Sequence, residues 1–276
     1  MKTTDVSGLI AQLENWFCDH APCTIATSGG IDSMLLAFIA NRAIGEQAFI
    51  VHSASSAVPD ADARRIRAYA QKYHWHYQLV DSGEINDANY QQNPVDRCYY
   101  CKSCLFTTIK QIKTGAIVTG TNMDDLSDYR PGLVAAQQND VQQPYVDLGI
   151  NKATIRQIAS YLQLDDLKDI PASPCLASRI ETGIKINTDA LHLVDRVETL
   201  VKELLATDVV RFRIRKQALE IQLAADCYQQ LSSEAKNTLT NNVLQHLPAE
   251  YAALPLQVSA YAKGSAFVGD KSGHGQ

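Results

Sequence analysis

The hexapeptide Ser28-Gly29-Gly30-Ile31-Asp32-Ser33 restricts the fold of this chain more than any other segment. It follows the apolar run Cys23-Thr24-Ile25-Ala26-Thr27, which reads as a buried strand. It precedes Met34-Leu35-Leu36-Ala37-Phe38-Ile39, which reads as the start of a helix. A glycine-rich turn between a strand and a helix is an anion site. Glycine lets backbone N–H groups approach the anion, the hydroxyls of Ser28 and Ser33 add donors, and the helix N-terminus adds partial positive charge. Asp32 fits beside phosphate oxygens when a divalent cation bridges them. The Walker arrangement, which requires Gly-Lys-Ser/Thr, is absent. A polar turn opening an ordinary helix is the bland alternative, and six such residues in strand–helix context argue against it.

The first half of the chain alternates strand and helix signals. Strands are expected over Thr24–Thr27, Ala48–His52, Tyr77–Val80 and Ala116–Gly120. Helices are expected near Ser33–Ala43, Asp60–Tyr73 and Tyr99–Lys113, with a further one over Lys152–Leu162. This alternation predicts an α/β fold, a Rossmann-like parallel sheet covered by helices, with ligands at the carboxyl ends of the strands. Three loops meet at such ends: the hexapeptide, His52-Ser53-Ala54-Ser55-Ser56, and Gly120-Thr121-Asn122-Met123-Asp124-Asp125.

Past Asp165–Pro174, an acidic stretch read as a connection, the pattern changes. A long helix over Thr188–Leu205 precedes strands Val209–Arg215 and Leu219–Leu223, joined as a hairpin by Lys216-Gln217-Ala218. One helix over Ala225–Gln245 and a strand over Ala253–Val258 follow. The expected division is a nucleotide domain over residues 1–170, a smaller α+β domain over 171–268 and a disordered tail over 269–276.

With 276 residues and 46% apolar content the chain holds one large domain or two smaller ones. A net charge of −5 argues against a broad nucleic-acid surface. No signal-peptide pattern opens the chain, and the longest apolar run, around Met34–Ala40, is too short to span a bilayer. A soluble, cytoplasmic protein without a membrane partner is expected.

Seven cysteines in such a chain do not suggest a disulfide framework. Cys18, Cys23 and Cys227 read as core residues. Cys98 and Cys101 have the spacing that puts two thiolates on one metal, and three residues apart on a helix is also one face. Cys175 stands just past the connection. Three thiolates can hold three irons of a 4Fe–4S cluster and leave the fourth open to sulfide or substrate. With Cys104 as a fourth ligand, a structural zinc is the alternative. Redox or persulfide chemistry, and plain buried thiols, also remain open.

The loop resembles the SGGxDS loop of PP-loop pyrophosphatases, enzymes that split ATP into AMP and pyrophosphate and adenylate a substrate. The motifs Arg97-Cys98-Tyr99-Tyr100-Cys101-Lys102, Gly120–Asp125, Asp128-Tyr129-Arg130-Pro131-Gly132 and Ser173-Pro174-Cys175-Leu176-Ala177-Ser178-Arg179-Ile180 resemble those of the LarE family. The resemblance runs from about residue 20 to about residue 215. Members are ATP-dependent sulfur transferases that build the nickel-pincer nucleotide cofactor. The resemblance implies adenylation of a carboxylate of pyridinium-3,5-biscarboxylic acid mononucleotide, then displacement of AMP by sulfur. One branch gives up the sulfur of the cysteine at the position of Cys175. The other adds a CxxC pair and carries a 4Fe–4S cluster. The trio Cys98, Cys101 and Cys175 resembles the cluster branch.

Residue roles follow from the resemblance. Ser28, Gly29, Gly30, Ser33 and Ser53 are expected at ATP, with Asp32 on Mg²⁺ and also catalytic. Cys98, Cys101 and Cys175 are expected on the metal, Cys175 also in catalysis, with a sulfide donor system as partner. Lys102 would stabilise developing charge, or be a solvated helix lysine. Arg130, Ser178 and Arg179 would contact substrate phosphate or carboxylate. Arg211 and Arg213 alternate with Val210, Phe212 and Ile214, which puts both on one strand face, suited to the 5′-phosphate of a nucleotide substrate. Glu198 resembles a family active-site glutamate, or is a solvated helix residue. Family members form trimers or larger rings, so a homo-oligomer (trimer or hexamer) is expected.

The C-terminal stretch departs from the family's pattern. Gln257 stands for an acid and Ala262 for an arginine, which puts substrate or subunit contacts there in doubt. Rival readings are a PP-loop tRNA thiolase, which needs a basic surface, an amide-forming synthetase, which does not need the cysteines, and a non-catalytic nucleotide- or metal-binding module.

Overall fold

A computed structural model describes residues 5–112, 115–127 and 130–262. The chain forms two compact units. The first runs to Asp87 and resumes over Asp96–Ser173; the second takes Ala88–Val95 and the chain from Pro174 onward. Lys113, Asp128 and Tyr129, the stretch Lys263-Gly264-Ser265 and the tail 269–276 lie outside the described residues.

In chain order the first unit carries α1 (Val6–His20), β1 (Cys23–Thr27), α2 (Ile31–Ile44), β2 (Ala48–Ser53), α3 (Asp60–Lys72) and β3 (His76–Val80). The short α4 (Ala88–Gln91) belongs to the second unit. The first unit continues with α5 (Arg97–Ile112), β4 (Ala116–Thr119), α6 (Pro131–Gln138), α7 (Pro144–Asp147), α8 (Lys152–Tyr161) and α9 (Asp165–Lys168). Among the described residues its strands make a four-stranded sheet in the order β3-β2-β1-β4, all parallel.

The period of two along each strand sorts side chains onto two helical layers. Ile25, Ile50 and Val118 face a core with Leu13 and Phe17 of α1, Leu35 and Ile39 of α2 and Ile155 and Ile158 of α8. Their neighbours Ala26, Val51 and Ile117 face Leu105, Phe106 and Ile109 of α5 and Ala135 and Ala136 of α6. Burial on both faces explains why these strands read as continuous apolar runs. Side-chain caps begin two helices: Asp5 accepts from the Gly8 N–H at 2.9 Å, and Asn151 from the Thr154 N–H at 2.9 Å.

The second unit carries α10 (Thr188–Leu205), β5 (Val210–Ile214), β6 (Leu219–Leu223), α11 (Ala225–Gln230), α12 (Ser233–Leu244) and β7 (Leu256–Ala260). β5 and β6 are the expected antiparallel hairpin, and β7 adds to β6 in parallel. The single helix expected over Ala225–Gln245 is two, because Leu231 is extended and Ser232 caps α12 by accepting from the Ala235 N–H at 3.1 Å. The last strand begins after Pro255 rather than at Ala253. Residues 88–95 are stitched to the segment after Arg179. Asn93 Nδ2 donates to the carbonyls of Ile180 (3.2 Å) and Glu181 (2.9 Å). The Gly183 N–H donates to the Asn93 carbonyl at 3.0 Å, and the Ile186 N–H to the Gln91 carbonyl at 2.8 Å.

Candidate active site

The hexapeptide is the turn from β1 into α2, at the carboxyl edge of the sheet. Ser33 Oγ donates to the Gly30 carbonyl at 3.1 Å and accepts from the Ser28 N–H at 3.1 Å, while the two serine hydroxyls lie 3.3 Å apart. Gly29 has φ +82°, and a Cβ there would lie 2.6 Å from Asp62 Cβ. Backbone conformation and close approach both require glycine.

Asp32 sits in the first turn of α2. Its Oδ2 receives Lys152 Nζ at 3.3 Å, and its Oδ1 is buried without a hydrogen-bond partner among the described residues. Burial raises the Asp32 pKa, Lys152 opposes the rise, and Asp125 adds to it. A buried carboxylate oxygen with an open lone pair, beside a phosphate-type loop, fits a Mg²⁺ ligand.

The loop after β4 crosses directly beneath. A Cβ at Gly120 would lie 2.8 Å from the Asp32 carbonyl carbon and 2.8 Å from the Ser33 nitrogen, so two backbones meet there. The buried Asn122 accepts from the Asp124 N–H at 3.0 Å, and Asp124 Oδ2 accepts from the Lys152 N–H at 2.8 Å. This chain of contacts sets the start of α8, and with it Lys152, against Asp32. Arg130 pairs with Asp125 at 2.9 Å in this unit. At the end of β2, His52 Nδ1–H donates to the Thr27 carbonyl at 3.0 Å, and burial lowers its pKa. Ser53 lies at the same edge and is bonded to Ser82 Oγ at 2.7 Å, which donates to the buried Glu84 at 2.6 Å.

Cys98, Cys101 and Cys104 are half-buried along one face of α5, and no disulfide forms among the described residues. The donor type and spacing fit thiolate ligation. Burial, then Asp87 and Glu84, push the Cys104 thiol pKa up, which disfavours its thiolate. Among the described residues no three His, Cys, Asp or Glu side chains form a metal-holding group. Lys102 Nζ lies 6.0 Å from the centre of the Phe106 ring.

In the second unit, Cys175 is exposed and precedes a turn of 3₁₀ helix over Leu176–Arg179. Arg179 is fully buried and clamps that turn. Its Nη1 donates to the carbonyls of Pro174 (2.5 Å) and Cys175 (3.1 Å) and to Ser178 Oγ (3.0 Å). Its Nε and Nη2 fork onto Glu198 at 2.8 and 3.0 Å. Glu198 Oε1 also accepts from the Phe212 N–H at 2.9 Å. Glu198 and Arg179 therefore hold the cysteine turn on α10 and β5.

Arg211 and Arg213 are buried, not spread on an open strand face. Arg213 bonds Gln222 Oε1 (2.6 Å) and the Ser178 carbonyl (3.0 Å). The Arg211 guanidinium lies 5.6 Å from the Tyr261 ring centre. Burial, with Arg215 and Arg179 nearby, pushes Arg213 down to about 10. Burial and Arg179 also lower Arg211. Glu198 acts on Arg179 and Arg211, and Glu220 on Arg213, so the three buried guanidiniums share this corner with two carboxylates.

The structure thus brings Ser28, Gly29, Gly30, Asp32 and Ser33 into one loop of the first unit, and Ser178, Arg179, Glu198, Arg211 and Arg213 into one cluster of the second. Lys152 escaped the sequence reading: it stands 120 positions from Asp32. The one local hint is Asn151, a helix cap that places Lys152 at the first position of α8.

No family model matches the chain. The uncharacterized protein slr1717 of Synechocystis is 32% identical over 252 residues, 90% of this chain and 93% of that protein. The chain belongs to the family of that cyanobacterial protein. The uncharacterized protein MJ0830 of Methanocaldococcus jannaschii is 27% identical, across 73% of this chain and 77% of its own length. A protein of Lactiplantibacillus plantarum named pyridinium-3,5-bisthiocarboxylic acid mononucleotide synthase is 25% identical over 265 residues, 92% of this chain and 91% of that enzyme. That distant relationship supports the LarE resemblance at the level of the family.

Proposed function

We propose that this chain is an ATP-dependent sulfur transferase acting on pyridinium-3,5-biscarboxylic acid mononucleotide. The observation that carries the reading is the buried, open Oδ1 of Asp32, set between the Ser28–Ser33 loop and Lys152. A carboxylate oxygen of the substrate attacks the α-phosphorus of ATP. The bond from that phosphorus to the bridging oxygen breaks, and pyrophosphate leaves with the electron pair. Loop N–H groups, the serine hydroxyls and Lys152 stabilise the charge, and Asp32 would hold the Mg²⁺ that neutralises the phosphates. Sulfur then forms a bond to the acyl carbon, the acyl C–O bond breaks, and AMP departs. The second carboxylate repeats the sequence.

Arg211, Arg213 and Arg179 supply the anion site for the substrate 5′-phosphate in this reading. Cys98, Cys101 and Cys175 would hold a 4Fe–4S cluster, which when bound supplies a nucleophilic sulfide. The exposure of Cys175 favours a second reading, in which its own sulfur is transferred. Its Sγ joins the acyl carbon, the Cα proton is lost, and the Cβ–S bond breaks to leave dehydroalanine. A cytoplasmic homo-oligomer, trimer or hexamer, resupplied with sulfide, belongs to the same proposal. No helix among the described residues is long and apolar enough to cross a membrane.

The deciding experiment incubates the protein with ATP, Mg²⁺ and the biscarboxylic mononucleotide. Substrate-dependent pyrophosphate release with thiocarboxylate product is expected; ATP turnover indifferent to that mononucleotide would sink the reading. Iron and acid-labile sulfide after anaerobic reconstitution, compared with the protein mass after turnover, separate the two sulfur sources.

A further inference from the structure

Glu84 is an acid only 3% exposed, in the turn that follows β3. Burying a carboxylate is unfavourable unless donors meet it. A serine meets this one: Ser82 Oγ donates to Glu84 Oε2 at 2.6 Å. Ser82 Oγ also lies 2.7 Å from Ser53 Oγ, at the end of β2. A hydroxyl carries one hydrogen. That of Ser82 is spent on the carboxylate, so Ser53 is the donor in the serine pair. The hydrogen of Ser53 is then spent as well, and its oxygen offers a ligand lone pairs only. The turn holds this order in place. Gly83 is left-handed at φ +66°, and its N–H donates to Asp81 Oδ1 at 2.9 Å. The Ala54 N–H donates to the Val80 carbonyl at 2.7 Å, which ties the end of β2 to the end of β3. All of these residues belong to the first unit.

An oxygen that can only accept does not suit a phosphate, whose oxygens also only accept. A ribose hydroxyl both donates and accepts, so it needs no partner of fixed polarity. The exocyclic amino group of adenine only donates, and it matches. The sheet puts Ser53 within reach of a nucleotide. Thr27 pairs with His52, which sets Ser53 beside Ser28, the first residue of the phosphate loop, on a strand about 4.8 Å away. On the other side of that loop the backbone at Gly120 is packed against Asp32 and Ser33, so a nucleotide extends from the loop toward β2. We propose that Ser53 is a specificity-determining residue that accepts a hydrogen bond from the adenine amino group, its polarity set by Ser82 and Glu84. The proposal rests on the ATP half of the sulfur-transfer reading and names the base that the site selects.

The test compares ATP with ITP, whose base carries a carbonyl oxygen where adenine carries the amino group. Kd of each with Mg²⁺ is measured by calorimetry on the full chain, as wild type, Ser53→Ala, Ser82→Ala and Ser82→Thr. Wild type is expected to bind ATP at least about tenfold tighter than ITP, because two facing acceptors replace a hydrogen bond. Ser53→Ala loses about tenfold in ATP affinity and brings the two nucleotides within about threefold of each other. Ser82→Ala frees the Ser53 hydroxyl to turn and donate, so ITP binding tightens about threefold and the preference narrows. Ser82→Thr keeps the hydroxyl and keeps the preference.

A general loosening of the fold weakens both nucleotides alike, so the ratio judges the role. A wild-type ATP-to-ITP ratio in Ser53→Ala, or in Ser82→Ala, overturns the proposal. So does a Ser53→Ala penalty that disappears when 2′-deoxy-ATP replaces ATP, which would assign the Ser53 bond to the ribose. A wild-type protein that binds neither nucleotide refutes the ATP reading and the proposal together. A wild-type protein that discriminates as expected and makes no thiocarboxylate refutes sulfur transfer while supporting the role of Ser53.

Discussion

Asp32 is held in a state that burial disfavours. Its pKa is raised above the ordinary 3.8, chiefly by desolvation. An acid raised in the folded state contributes its full stability below the unfolded pKa and loses it as pH rises through the folded one. Ionising Asp32 against its burial therefore costs the native chain more as pH rises. Asp32→Asn is expected to raise Tm at about pH 8, with the gain shrinking toward about pH 4; each kcal/mol relieved is worth roughly 2–4 °C in a domain of this size. ATP–pyrophosphate exchange in that variant should fall at least about a hundredfold. A variant no more stable than wild type at either pH counts against a burial penalty. Glu198 is the opposite case, a buried acid fully paired. Glu198→Ala leaves Arg179 buried and charged, which predicts a loss of about 3–5 kcal/mol in urea unfolding. The hexapeptide was legible in the sequence because its requirements are local: glycine for φ at Gly29, hydroxyls at Ser28 and Ser33. The Asp32–Lys152 and Arg179–Glu198 pairs were not, because charge alone does not name a partner across a fold. Glu198 reads equally well as a solvated helix residue, and only the β5 backbone and Arg179 show that it is a tie.

The loop after β4 and the N-terminus of α2 meet backbone to backbone at Gly120. Gly120→Ala cannot be absorbed by a side-chain rotation, because the neighbours are the Asp32 carbonyl carbon and the Ser33 nitrogen. A loss of about 1–3 kcal/mol and weaker ATP binding are expected, measurable by denaturant titration and calorimetry. On α5 the three cysteines are not equivalent. Burial, then Asp87 and Glu84, disfavour the Cys104 thiolate, so Cys104→Ser is expected to keep the iron and sulfide of the reconstituted protein, while Cys98→Ser and Cys101→Ser lose it. Iron lost from all three would make Cys104 a ligand. Strands of the parallel sheet were readable as apolar runs because helices cover both faces. The α11–α12 break was overlooked, although Ser232 followed by Ser233 and Glu234 is a helix-start signal inside a run that otherwise continues. The register of β7 depends on pairing with β6, which no local pattern specifies.

Across the whole chain, a net charge of −5 leaves little to hold a polyanion. The buried arginines of β5 are occupied with Gln222, Ser178 and Tyr261 rather than displayed as a stripe. Filter binding to bulk tRNA is expected to be weak at about 50 mM salt and absent at about 200 mM. Tight tRNA binding with a steep salt slope would favour a thiolase. Alternation of strands and helices announced the α/β class, and hydrophobic periodicity announced α10 and the β5–β6 hairpin. That residues 88–95 leave the first unit and return before Cys98 was invisible, because the bonds of Asn93 and Gln91 are made some 90 residues downstream. The excursion has a genetic consequence. The second unit is not encoded by one continuous stretch of the gene, so a break at position 174 would yield a C-terminal piece whose Ile180 and Glu181 carbonyls have lost the amide that meets them. Recombination that shuffles domains as intact cassettes has no clean cut here, and the two halves of this protein are bound to be inherited together.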